Sequence, residues 1–384
     1  MRIRKGVKVL LLVVILAILV AGVSGAQRNE PEIFTPVVEI YRLIRNHFHW
    51  SDRIDSQRLL HGALRGMVKE LNDPYSEFLS PEENRQWQER LEGRFSGVGI
   101  EITLKDEKLM VVAPIEGTPA YLAGIQAGDI IIAIDGETTA GITLREAAMR
   151  IRGEVGTSVI LRVLRTDEAE KDITIIRDII HIMPVRYEFL EEGRIGYIRI
   201  TRFNHGAVKA LNEALSSLNP EGLDGLIIDL RNSPGGLLSA AVAIASQFVD
   251  TGVIVSINER AAPRPPFYSV GNKIPNLPLV VLINSGTASA AEIVAGAIRD
   301  HRMGVLIGER SFGKGSIQRM IEFADGSALR LTIGEYFTPL GYPVHEYGLT
   351  PDIELTEEED PLAVAIEWLL ARAGQQMPLP VEEK

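Results

Sequence analysis

From residue 195 onward the chain alternates short strand-like runs with helical ones, and that alternation limits the fold more than any other feature. Residues 195–200 read as a strand, 207–218 as a helix, 225–230 as a buried strand and 237–249 as a second helix. Strands separated by helices in this order pair in parallel through right-handed crossovers, so a layered α/β core is expected. The apolar run 279–283, followed by the Ala-rich stretch 290–298, adds one more strand-to-helix step.

That last step carries chemistry. Ser289 lies in Thr287-Ala288-Ser289-Ala290-Ala291-Glu292, where a strand-to-helix turn exposes its first residues. The amides at a helix start have no intrahelical partner and carry the positive end of the dipole, which is where an oxyanion can be held. Lys314 lies in Ser311-Phe312-Gly313-Lys314-Gly315-Ser316-Ile317-Gln318, with a glycine on each side to free the backbone and aim one side chain inward. A lysine serves as a base only when neutral, and with an ordinary pKa near 10.4 that costs roughly 4 to 5 kcal/mol at pH 7. An apolar pocket lowers the cost by disfavouring the ammonium, and the runs 305–307 and 328–333 could wall such a pocket. In an extended strand Gln318 would share a face with Lys314 but lie about 13 Å away, so a direct contact requires the segment to bend.

Taken singly, a serine at a helix start is usually a cap and Gly-Lys-Gly a solvated turn. Together with their surroundings they resemble the carboxy-terminal processing proteases, serine peptidases with a Ser–Lys pair and a built-in PDZ domain. The resemblance runs from about Phe34 to Ile353 through INSGTASAAEIVAGAIRD, GERSFGKGSIQ, LTIGEYFTPLG and GLTPDI, with IDLRNSPGGLL also fitting. It implies a layered α/β (crotonase/ClpP-like) core, Ser289 as nucleophile, Lys314 as general base and Gln318 as the residue that positions the lysine. It also implies an oxyanion hole from the amides of Gly235 and Ala290, with Gly236 as the other candidate glycine. No metal or cofactor is called for. Two departures stand out: Ser233 where the family pattern has asparagine, and Ala291 where a second serine is frequent.

Residues 92–178 form a strand-rich unit that resembles a PDZ domain, with Thr143 and Glu146 spaced as a capping box before a helix. Such a domain adds a peptide strand to a sheet edge and holds its terminal carboxylate in the N–H groups of a glycine loop, here Gly97-Val98-Gly99. Arg152, in Ile151-Arg152-Gly153-Glu154, either senses that carboxylate or is a solvated side chain. The expected substrate is therefore a protein or peptide with a free, apolar C-terminus. Residues 27–91 read as a helical region, broken by the Asn72-Asp73-Pro74 turn, and 179–384 as the protease core with a C-terminal helix over 361–371.

Arg2, Arg4, Lys5 and Lys8 precede an uncharged stretch over 9–26, so residues 1–26 read as a signal peptide or membrane anchor and the mature protein as extracytoplasmic. Losing those four positive charges takes the formal net charge from −11 to −15, an acidic balance that argues against a nucleic-acid partner. With no cysteine, disulfides, thiolate catalysis and Cys-ligated zinc are excluded. The resemblance leaves room for a homo-oligomer or a regulatory partner protein.

Rivals are weaker. Gly308 to Lys314 spells most of a P-loop, but position 315 is Gly where a hydroxyl must reach magnesium, and 316–323 is strand-like where a helix must follow. A PDZ adaptor without activity leaves the Ser289 and Lys314 segments unexplained. Ser311 and Lys314 also spell Ser-x-x-Lys, which needs a helix that Gly313 and Gly315 disfavour.

Overall fold

Strands buried on both faces need two layers of cover, and the central sheet has them. Its order is Val185–Leu190, Ile195–Ile200, Gly225–Asp229, Leu279–Ile283, Val305–Gly308 and Ile353–Glu354, parallel throughout except for the first pair. One face packs Ile198, Ile228, Val281 and Leu306 against the helices Ala207–Leu218, Leu238–Ala245 and Ala290–Asp300. The other packs Ile195, Ile227, Val280 and Ile307 under Ala365 and Leu369 of the helix Pro361–Leu370. The α/β layering is thus as the sequence pattern requires.

The computed structural model describes residues 34–373, apart from 106, 116, 166–168, 182, 261–263, 272, 273, 276 and 357. The leader segment lies outside the described residues, and among those no helix is long and apolar enough to cross a membrane. The described residues fall into two compact units that divide between Asn72 and Asp73. In the first, the helix Ser56–Lys69 is capped by Asp55, whose carboxylate accepts from the amides of Gln57 and Arg58. The helix Thr35–His47 precedes it and buries none of its residues within the chain.

In the second unit a further sheet orders Glu77–Leu79, Ala328–Phe337, Val253–Glu259 and Phe267–Tyr268, and Ser316–Glu322 also pairs with Ala328–Phe337. The helix over 237–249 is shorter than its spacing predicts and ends at Ala245. Ser246 accounts for this: its hydroxyl donates back to Val242 O at 2.7 Å and accepts the Val270 amide at 3.2 Å, turning the chain towards the Phe267–Tyr268 hairpin.

The strand-rich region has its own sheet, ordered Ile100–Lys105, Lys108–Pro114, Ile130–Ile134, Ser158–Leu164 and Lys171–Ile176, and its own core of Leu109, Val111, Ile131, Val159 and Leu161. A two-stranded ribbon, Arg94–Gly97 against Asp178–His181, carries the chain into and out of it. The capping box at Thr143 is present at the start of the helix Leu144–Ile151.

Candidate active site

The strand Leu279–Ile283 runs into a turn whose backbone is fastened on several sides. Thr287 Oγ1 donates to Leu230 O at 2.9 Å, the Ala288 amide donates to Ser233 O at 2.9 Å, and Asn284 and Asn232 exchange amide hydrogen bonds. The turn delivers Ser289 with φ 56° and ψ −118°, a conformation that costs a non-glycine residue roughly 1 to 3 kcal/mol. The helix Ala290–Asp300 starts at the next residue. Among the described residues the Ala290 amide has no acceptor, as expected of a first helical N–H.

Gly235 faces this turn. With φ 83°, a Cβ there would stand 2.5 Å from Ala288 O, 2.6 Å from Ala290 N and 3.0 Å from Ser289 Cβ. Gly236 turns the other way, and its Cβ would meet Phe203 O at 2.3 Å. The glycine beside the Ser289 turn is therefore Gly235. If Gly235 supplies an oxyanion amide, Gly235→Ala is expected to lower kcat/KM by about 10²-fold or more, the usual cost of spoiling one such donor. Full activity in that variant would separate Gly235 from the chemistry.

Glu292 is fully buried at the centre of the arrangement. Its Oε2 accepts the Ser289 amide at 2.8 Å and the Lys314 amide at 3.0 Å, and its Oε1 accepts the Gly313 amide at 2.7 Å and the Ser311 hydroxyl at 2.5 Å. A single carboxylate oxygen thus joins the backbone of Ser289 to that of Lys314. Burial pushes the Glu292 carboxyl above its ordinary range, against the pull of these four hydrogen bonds. Tyr336, also buried, stands over the same junction, its hydroxyl 2.9 Å from Lys314 O and 3.1 Å from Ser289 O. Sequence reasoning treated Glu292 as part of the helix. The available signal was its spacing, three residues after Ser289, which is that of a capping box.

Lys314 sits where the loop 311–315 crosses the segment 343–348. A Cβ on Gly315 would stand 2.2 Å from His345 N, and Gly313 O accepts the Glu346 amide at 2.8 Å, so the glycines permit this close crossing. Burial pushes the Lys314 amine below the usual lysine range; the Arg330 guanidinium adds to that, while Asp73, Glu292 and Glu77 oppose it. Its Nζ lies 4.6 Å from the centre of the Tyr75 ring. Among the described residues no hydrogen bond joins Nζ to Ser289 Oγ or to Gln318. The Gln318 amide donates instead to Ser316 Oγ at 3.0 Å and Thr332 Oγ1 at 3.1 Å, next to a shift of register between Ile317 and Gln318. Ser311 is held to Glu292 and to the Leu349 amide in an extended loop rather than on a helix with Lys314.

A second polar cluster underlies the Gly235 loop and was missed in the sequence. Asp229, fully buried at the end of its strand, accepts from Tyr197 Oη at 2.6 Å and from Arg231 through Nη2 at 2.7 Å and its amide at 2.9 Å. Burial would push Asp229 up, but the bonds from Arg231 and Tyr197 outweigh it and hold the carboxyl below the usual range. The Tyr197 hydroxyl is pushed up to about 12 by burial and by Asp229.

In the strand-rich domain, Ile100–Lys105 is an edge strand facing the helix Leu144–Ile151, so a peptide strand can be added there. Val98 and Gly99 precede that edge. Their carbonyls accept from Ala120 and Ile115, while their amides donate to no acceptor among the described residues. Arg152 is half-buried beside Gly97, its guanidinium 5.1 Å from the centre of the Phe95 ring. Burial pushes it below the usual arginine range, Arg90 adding to the effect.

Comparison with known proteins fits this geometry. Residues 194–355 match peptidase family S41, 110–165 a PDZ domain, and 20–83 the activating protease CtpB N-terminal domain. A carboxy-terminal-processing protease of Bartonella bacilliformis is 40% identical over 306 residues, covering 78% of this chain and 70% of its own length. A probable CtpA-like serine protease of Staphylococcus aureus is 34% identical over 336 residues, covering 87% and 67%. Among solved structures, a photosystem II D1 C-terminal processing protease superposes with a TM-score of 0.53 at 31% identity, covering 88% of this chain and 96% of that one.

Proposed function

The chain belongs to peptidase family S41 as a carboxy-terminal processing serine protease with a PDZ domain, and from that premise we propose the residues that do the work and the way substrate is chosen. Ser289 Oγ attacks the scissile carbonyl, and neutral Lys314 Nζ takes the hydroxyl proton and later passes it to the leaving amine. The amides of Gly235 and Ala290 receive the oxyanion that forms. The observation that carries this reading is the shared carboxylate oxygen of Glu292, which ties the lysine segment to the nucleophile turn. In this scheme the Lys314 amine leaves the Tyr75 ring to meet the serine. Gln318 acts at one remove in this scheme, steadying the strand that leaves Lys314 through Ser316 and Thr332.

Substrate enters by its C-terminus. The end of an apolar peptide adds to the edge strand Ile100–Lys105 over the exposed Leu104, Leu144 and Met149, and its carboxylate meets the amides of Val98 and Gly99 in the Gly97-Val98-Gly99 loop. Arg152 is a half-buried cation without an ion-pair partner among the described residues, which suits a site awaiting a carboxylate. The basic and then apolar leader supports export to the extracytoplasmic side, by a cleaved or retained segment.

The test compares two peptides that differ only in a free or amidated C-terminus. Charge-assisted hydrogen bonds of this kind contribute about 1.5 to 3 kcal/mol, so the amide should be processed roughly ten- to a hundredfold more slowly. Arg152→Ala should narrow that gap. Equal cleavage of both peptides by the wild-type enzyme would withdraw the C-terminal recognition and leave the PDZ domain another task.

A further inference from the structure

The Lys314 amine rests on an aromatic face rather than on the serine. Tyr75 is held for that contact by several bonds outside its ring. Asp73 accepts the Tyr75 amide at 3.0 Å and the Ser76 hydroxyl at 2.5 Å, Arg330 Nε donates to Tyr75 O at 3.1 Å, and the Thr332 amide donates to Ser76 Oγ at 3.0 Å. The strand that follows pairs Glu77 with Arg330 and Leu79 with Ala328. The ring is thereby fixed to the flank of the Ala328–Phe337 sheet, its centre 4.6 Å from Lys314 Nζ and 6.4 Å from the centre of the His345 ring, the two rings steeply inclined.

An aromatic face attracts an ammonium through its quadrupole and has no comparable hold on a neutral amine. We propose that Tyr75 is a positioning residue that keeps Lys314 off Ser289 while the lysine is protonated and lets it go on deprotonation. The inference rests on the reading of Lys314 as the base. In this arrangement the ring works against the burial that neutralises the lysine, so the base is freed at a higher pH than the pocket alone would set. The other groups facing the amine act in both directions: Arg330 disfavours the ammonium, Asp73, Glu77 and Glu292 favour it, and the His345 ring lies beside Tyr75. The bonds holding Tyr75 are made by its backbone and its neighbours, so removing the ring leaves the segment pinned.

The test follows the titration of Lys314 directly, by NMR of the ¹³C-labelled lysine ε-carbon in a Ser289→Ala background, with Lys314→Met identifying the signal. Tyr75→Leu and Tyr75→Met, which fill the space without a π face, should lower the midpoint by about half to one pH unit. Tyr75→Phe should keep it. In the active enzyme the acidic limb of kcat/KM should move by the same amount in the same variants. A midpoint that stays or rises in Tyr75→Leu and Tyr75→Met, or a Tyr75→Phe variant that behaves like them, overturns the proposal. An active Lys314→Arg enzyme would instead remove the base assignment beneath it, whatever the Tyr75 variants do.

Discussion

Ser289→Ala is expected to lower kcat/KM by about 10⁴-fold or more while leaving the fold intact. The hydroxyl is the only atom lost. The Ser289 amide still reaches Glu292, and Gly235 still packs against the turn, so the variant should keep a site able to bind but not to attack. Ser311→Ala provides the contrast, because Ser311 Oγ donates to Glu292 and accepts the Leu349 amide. Losing those buried bonds should cost about 1 to 3 kcal/mol of stability and much less in cleavage. Mass spectrometry of peptides released from an unfolded protein, with denaturation midpoints for each variant, measures both effects. An active Ser289→Ala beside an inactive, folded Ser311→Ala would move the nucleophile to the other serine.

Lys314→Arg should be as damaging in its own way, with kcat/KM down by about 10³-fold or more across the usable pH range. Arginine keeps the positive charge and most of the length but gives up no proton, so a role in charge alone would survive the change and a role as base would not. The wild-type pH profile carries the same distinction. A lysine pushed down by burial is neutral above its lowered pKa and an ammonium below it. Activity should therefore rise with pH through that value and fall away as pH drops beneath it, and it should turn over below the ordinary lysine range. An acidic limb that lies at or above the ordinary lysine range would speak against a base neutralised by burial.

The layered core was readable from the sequence because its strands are buried on both faces and its helices on one, so the strands read as unbroken apolar runs and the helices as a period of about 3.6. The strand 279–283 and the helix 207–218 fall where that pattern puts them. Ser289 and Lys314 stood out because helix starts and flanking glycines are local features. What escaped the sequence depends on approach in space. Gly235 and Gly236 are alike as letters and differ only in which backbone each one faces. Glu292 looks like a capping residue, and it is one, but its second oxygen reaches a loop that no spacing rule connects to it. Tyr75 follows a turn with the commonest of turn residues and gives no sign that a strand pairing sets its ring over a lysine. Gln318 was left open by the sequence, where a contact with Lys314 required a bend and only the family resemblance gave it a positioning role; its amide is taken up by Ser316 and Thr332.

The Glu292 junction also bears on when the enzyme becomes dangerous to its surroundings. Its donors come from the nucleophile turn and the Ser311–Lys314 loop, with Tyr336 above them on a separate strand. An emerging chain that has formed its first helices and even the turn around Ser289 still has no lysine beside it. The last pieces arrive with the loop 311–315 and the segment 343–348 that grips it, late in the order of synthesis. On the roles proposed for Ser289 and Lys314, a chain that stops short of the loop 311–315 has no base to set beside its nucleophile, so cutting power would require both segments.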